Sequence, residues 1–108
     1  MIEPSTHLRD KYALVGAGHS RLGKVPGVSA QGLLEEAMLN ALDDAGLTTQ
    51  DIDGLICRGP DEIYTFHQVM GERLGIDASF STTLTNGGAS QVMGVALAAM
   101  AIDAGMAS

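Results

Sequence analysis

The sequence predicts an α/β domain built on a mainly parallel sheet. Short apolar runs of strand length alternate with stretches whose apolar residues recur at steps of three and four. Glycine stands where each helical stretch should stop. The resulting order is β-α-β-α-β-α, and strands joined through helices pair in parallel.

Residues 1–10 read as a polar lead-in. Tyr12-Ala13-Leu14-Val15-Gly16 is an apolar run ending in glycine and is predicted as the first strand. Ala17 to Val28 holds glycine and proline and reads as a loop. Ser29 is placed to cap the next helix, with Val28 and Leu33 at the two positions of a hydrophobic staple. Leu33, Leu34, Ala37, Met38, Ala41, Leu42 and Ala45 form its apolar face. Glu35, Glu36, Asn40, Asp43 and Asp44 form its solvated face, and Gly46 is the natural stop.

Thr48 to Asp51 reads as a polar turn, and Gly54-Leu55-Ile56-Cys57 as the second strand. Ile63, Phe66, Met70 and Leu74 then predict a second helix, opened by Asp61-Glu62 and closed by Gly75. Phe80 to Thr85 is predicted as the third strand. A third helix is expected from about Gly88 to Ala104, with Ser90 as a candidate cap. Ala89, Val92, Met93, Val95, Ala96, Leu97, Ala98, Met100 and Ile102 leave that helix almost no polar face. A helix apolar all round is buried on all sides, and three strands with three helices cannot surround it. The expectation is that more chain, or a partner, covers it.

Composition excludes several functions. Through residue 24 there are four cations against two carboxylates; after it, two cations face eleven carboxylates. The formal net charge of −7 makes a poor partner for nucleic acid. Cys57 is the single cysteine, so no intrachain disulfide or cysteine metal framework exists. No secretory h-region is visible at the start, and the third helix is too short and too polar at Gln91 and Asp103 for a membrane span. A cytoplasmic protein is expected.

Among candidate chemistry, Gly16-Ala17-Gly18-His19-Ser20-Arg21 lacks the third glycine of a dinucleotide fingerprint, and Pro26 precedes any helix. Cys57 at a strand end reads as a buried structural thiol. His7, His19 and His67 have no metal-ligand spacing, so no metal site is expected. The remaining candidate is Asn86-Gly87-Gly88-Ala89-Ser90, where a strand turns into a helix. Glycine permits close approach, and a helix start offers unpaired N–H groups and a positive dipole end.

Taken in order, these pieces resemble the N-terminal segment of the thiolase superfamily, especially its sterol-carrier-protein-X type and related thiolase-like proteins. The resemblance covers residues 12–107. It rests on Val15-Gly16-Ala17-Gly18-His19-Ser20-Arg21-Leu22-Gly23-Lys24, on Ala45-Gly46-Leu47 with Asp51-Ile52-Asp53-Gly54-Leu55, and on Asn86-Gly87-Gly88-Ala89-Ser90 with the run from Ala98 to Gly105. It implies a thiolase-like fold, of which residues 11–108 are an incomplete N-terminal half. It also implies a homodimer through the strand Phe80–Thr85 and a buried central third helix.

The resemblance further implies an acyl-CoA thioester as substrate, with no covalently bound cofactor. In the family a nucleophilic cysteine opens the third helix, and counting back from Ala98-Ala99 and Ile102 puts its position at Gly88. No side chain stands there to be acylated. Asn86, Gly87, Gly88, Ala89 and Ser90 are then substrate-binding candidates without a catalytic residue among them. The expected chemistry shifts from acyl-cysteine thiolysis toward a retro-aldol C–C lyase, an enzyme type that works with a small zinc-ribbon and OB-fold partner. The alternatives are a non-catalytic thiolase-fold subunit and an inactive fragment.

Overall fold

The computed structural model describes residues 7–108. The first six residues of the expected lead-in lie outside the described residues.

Helix α1 spans Ala30–Ala45, strand β1 Gly54–Cys57, helix α2 Phe66–Leu74, strand β2 Phe80–Thr83 and helix α3 Ser90–Asp103. Short 3-10 turns occupy Thr49–Asp51 and Gly87–Ala89. β1 and β2 pair in parallel, with Gly54 opposite Phe80 and Cys57 opposite Thr83. A β-α-β unit with α2 as its crossover therefore forms the centre, as the order of elements predicts.

The helix ends follow local chemistry. Ser29 Oγ accepts the Gly32 N–H at 3.1 Å and caps α1. Gly46 and Gly75 adopt φ of 71° and 69° and stop α1 and α2, as expected. The following residues close each end, Leu47 N–H donating to Leu42 O and Ile76 N–H to Gly71 O.

The pleat of β1 sorts the layers. Leu55 and Cys57 are buried against Phe66, Met70 and Leu74, with Leu34 and Met38 of α1 packed on that cluster. Phe66 and Met70 have no exposed surface at all. Alternate residues point to the other face. There Ile56 meets α3, its Cγ2 lying 3.4 Å from where a Cβ on Gly94 would sit. The helices α1 and α2 thus cover one face of the sheet and α3 the other.

Three expectations are corrected. Residues 12–16 form no strand. Their neighbours bond to α1 instead: Ala17 N–H donates to Asp44, Asn40 donates to His19 O, and Arg21 N–H donates to Glu36, at 2.9, 2.9 and 2.8 Å. The backbone at Gly16 and Gly18 presses so closely on α1 that a Cβ would lie 2.5 Å from Ala41 O and 2.3 Å from Ala41 N. Leu14 and Val15 are left exposed, and Leu14 lines a cavity of about 680 Å³ between the segment, β1 and α3.

The second helix starts at Phe66, not at Asp61-Glu62. Thr65 takes a left-handed conformation at φ 51°, which breaks the helical path, and Asp61 pairs with Arg58 at 2.7 Å. β2 stops at Thr83, two residues short of the expected strand end. In keeping with the sequence reading, the described elements cover α3 on one side only. Ser90, Gly94 and Ala101 are buried, whereas Val92, Met93, Val95 and Met100 are exposed.

The segment at residues 7–11 forms a turn tied to the C-terminal end of α3. Lys11 Nζ, Tyr12 OH and His7 Nε2 lie 2.6, 2.8 and 3.1 Å from the Asp103 carboxylate. The Lys11 bond, then those of Tyr12 and His7, hold the Asp103 carboxyl down at about 2.

Two outcomes follow. Gly18→Ala forces backbone apart and is expected to destabilise by roughly 1–3 kcal/mol, read from the urea midpoint, while Gly88→Ala, which meets open space, stays near wild type. A carboxyl with a lowered folded pKa stabilises above its ordinary value of 3.8 and loses that contribution as pH falls toward about 2. The pH dependence of unfolding between those values should flatten in Asp103→Asn, and an unchanged slope would show that the contact contributes nothing.

Candidate functional site

The strand-to-helix turn lies at the C-terminal end of the parallel pair, where open α/β sheets bind ligands. Leu84 N–H donates to Cys57 O, which carries the ladder one residue past β2. Asn86, Gly87, Gly88 and Ala89 are exposed, and Ser90 is 1% exposed. Gly87 has φ 67°, the left-handed value that lets the chain reverse into the helix.

Ser90 is not the cap of α3 but its first residue. Its hydroxyl donates to Gly87 O at 2.8 Å and accepts the Asn86 N–H at 2.9 Å. Both bonds bind the turn to itself, so the hydroxyl is an internal brace rather than an exposed nucleophile. The structure thereby separates one residue from the five candidates. Asn86, Gly87, Gly88 and Ala89 form the accessible surface, and Ser90 holds its shape.

Gly88 carries the chemical consequence. A Cβ added there would meet nothing within 4 Å, and its φ is not in the left-handed region. The position is therefore open space at the start of the helical path. The first N–H groups of a helical path lack intrahelical acceptors, and Gly87 and Gly88 occupy that start. Such donors suit a carbonyl oxygen that gains negative charge.

No other group supplies a nucleophile at the turn. Cys57 is 4% exposed, and burial pushes its thiol up to about 11. His67 is half-buried on α2, and His19 sits in the loop with Nδ1 2.8 Å from Ser20 O. Among the described residues no group of three His, Cys, Asp or Glu is placed to hold a metal ion. Among the described residues no helix is long and apolar enough to cross a membrane.

A second group of polar residues escaped the sequence reading. Arg58 and Pro60 after β1, Tyr64 and His67 around the start of α2, and Thr83 and Thr85 at the end of β2 line a cavity of about 270 Å³. They are scattered over 28 positions of sequence, and only the parallel pairing of β1 with β2 brings them together.

No family model matches the chain. Two curated relatives do. The 17-hydroxy-3-oxo-4-pregnene-20-carboxyl-CoA lyase of Mycobacterium tuberculosis is 34% identical over 100 residues, covering 93% of this chain and 26% of the relative. The steroid side-chain-cleaving aldolase of Thermomonospora curvata is 34% identical over 95 residues, covering 88% of this chain and 24% of the relative. The chain thus spans about a quarter of the length of the curated relatives it matches.

Among solved structures, the Ltp2-ChsH2(DUF35) aldolase superposes with a TM-score of 0.74 at 33% identity, over 88% of this chain and 25% of that one. Xanthomonas campestris OleA with cerulenin gives a TM-score of 0.68 at 22% identity, over 82% of this chain and 28% of that one. The fold is thiolase-like, as the resemblance implied. The affinity for the sterol-carrier-protein-X type in particular is not what these relatives bring out; one curated match is a carboxyl-CoA lyase and the other a steroid side-chain-cleaving aldolase.

The brace makes one prediction. Ser90→Ala removes both bonds and leaves the Asn86 N–H without its partner, which should cost roughly 1–3 kcal/mol of stability. Ser90→Cys, with a larger and weaker acceptor, should fall between alanine and wild type. Equal stability of all three would show that the turn does not need the brace.

Proposed function

We propose that the chain is part of a retro-aldol C–C lyase acting on an acyl-CoA thioester with a steroid side chain. The observation that carries this reading is the open, side-chain-free position at Gly88, set at the start of α3 in a chain 34% identical to two enzymes of that activity.

The reaction needs no acyl-enzyme. A base removes the proton of the hydroxyl on the carbon β to the thioester carbonyl. The oxygen's electron pair forms a ketone, the Cα–Cβ bond breaks, and its pair moves into the thioester as an enolate. An acid then protonates the α-carbon. The protein must hold the thioester, stabilise the enolate oxygen and place an acid and a base. N–H groups at Gly87 and Gly88 are the donors this chain offers to that oxygen. The missing Cβ at Gly88 leaves room for the fully substituted carbon at which a steroid side chain is cut. None of residues 7–108 is assigned as the acid or the base.

Assembly enters at the same level. β2 pairs with β1 through one edge, and among the described residues no strand covers the other. A second copy pairing along Phe80–Thr85 would complete the sheet, and exposed edges favour such pairing. A small zinc-ribbon and OB-fold protein is the further partner this enzyme type suggests.

The test is the state of the protein after exposure to substrate. The whole enzyme to which this chain is assigned, incubated with acetoacetyl-CoA, is expected to show no mass increase on denaturing mass spectrometry, and with a tertiary β-hydroxyacyl-CoA it is expected to yield ketone and a shortened acyl-CoA. Gly88→Cys is expected to gain an acetyl adduct at the new thiol, because a thiolate at a helix start is activated. An acyl adduct on the wild-type chain would overturn the reading.

A further inference from the structure

The 270 Å³ cleft at the ends of β1 and β2 has a donor-rich lining that the turn chemistry does not use. We propose that it binds a phosphate anion, a phosphomonoester or diphosphate, with Arg58 as its anchor and Asp61 as the group the anion displaces.

The anchor is held in place. The Arg58 side chain is only 26% exposed, and Nη1 donates to Gly59 O at 2.6 Å. Its ion-pair partner is not held: Asp61 is 80% exposed at its side chain and meets Arg58 at 2.7 Å. An exposed carboxylate is a weak partner, because water competes for it and salt screens it. A guanidinium fixed at one nitrogen keeps N–H groups in a planar fork that matches phosphate oxygens.

The remaining lining carries hydroxyls and one imidazole. Thr83 Oγ1 accepts the His67 backbone N–H at 2.9 Å and lies 2.7 Å from His67 Nδ1. When the threonine hydroxyl donates to Nδ1, the ring proton of neutral His67 sits on Nε2, which becomes a donor. Tyr64, Thr82 and Thr85 bring further hydroxyls to the cleft, whereas Thr65 Oγ1 already donates to Tyr64 O at 2.7 Å. Among the described residues Asp61 is the one carboxylate on its wall. The chain as a whole is acidic, so the field of the molecule does not draw anions here; recognition is local.

The position suits the fold. Phosphates bind at the carboxyl ends of parallel strands in open α/β sheets, and this cleft is formed by the residues following both strands. Thr85 joins it directly to Asn86 and the turn. The assignment holds whatever reaction the turn at Gly88 serves.

Isothermal titration of the protein with inorganic pyrophosphate at fixed ionic strength tests it. Wild-type protein is expected to bind. Arg58→Gln should weaken binding by roughly tenfold or more, since one fixed charged donor pair is lost. Asp61→Asn should tighten it by roughly two- to fivefold, because the competing carboxylate goes while the shape stays. A structural role for Arg58 alone would not produce the opposite sign at Asp61, and circular dichroism of each variant separates misfolding from lost binding. Competition of coenzyme A with pyrophosphate would identify a nucleotide diphosphate as the source, and pyrophosphate binding without such competition would identify free phosphate. Absent binding to wild type, or affinity unchanged in both variants, would overturn the assignment.

Discussion

The alternation along β1 governs the arrangement of everything else. Four residues, Gly54 to Cys57, face two layers in turn. Leu55 and Cys57 bind the strand to Phe66, Met70 and Leu74, the cluster that holds the fully buried Phe66 and Met70. Ile56 faces α3, and Gly94 lets that helix approach it. Shifting β1 by one residue would exchange the two faces and separate α3 from its seat. The turn from β2 into α3 stands at the strand ends because that single register holds both strands and both layers.

The two faces are covered unequally, for a reason visible in the side chains. α1 and α2 each present one apolar stripe; that of α2 is buried in the cluster at Phe66, Met70 and Leu74, and α1 packs Leu34 and Met38 against it. Arg73 of α2 also meets Glu35 of α1 across their polar margins. α3 is apolar all round, and β1 can cover one side of it only. The helix is anchored at its ends instead. Ser90 braces its start through Asn86 and Gly87, and Asp103 gathers Lys11, Tyr12 and His7 at its end. Beyond α3, Ser108 donates from its N–H and hydroxyl to Asp53, next to the start of β1.

The same turn combines rigidity with vacancy. Ser90 is committed to the backbone of its own turn, so the turn keeps its shape without a ligand. One residue pair earlier, Gly88 opens onto nothing within 4 Å. A fixed frame around an empty position is what a reaction that proceeds through an enolate requires, since the frame must aim donors and must not compete as a nucleophile. Cys57 does not disturb this, because burial keeps its thiol protonated and inaccessible.

Residue type and spacing alone determined the features that depend on local physics. Strand β1, the extent of α1 with Ser29 and Gly46 at its ends, the glycine stop of α2 and the glycine at position 88 all follow from neighbours a few residues apart. The sequence also placed the candidate turn between a strand and an apolar helix, which is where the structure has it. Tertiary contacts decided the rest. Tyr12 to Gly16 has a strand's composition, yet Asp44, Asn40 and Glu36 of α1 hold the chain that follows it. The close approach of Gly16 and Gly18 completes that choice, and neither contact is written in the local pattern. Ser90 looked like a cap because serine caps helices, but only the fold shows its hydroxyl turned inward. The cleft at Arg58, His67 and Thr83 exists only once two strands lie side by side. Local propensity sees neighbours in sequence, whereas a pocket is made by residues that meet after the chain has crossed from one strand to the next.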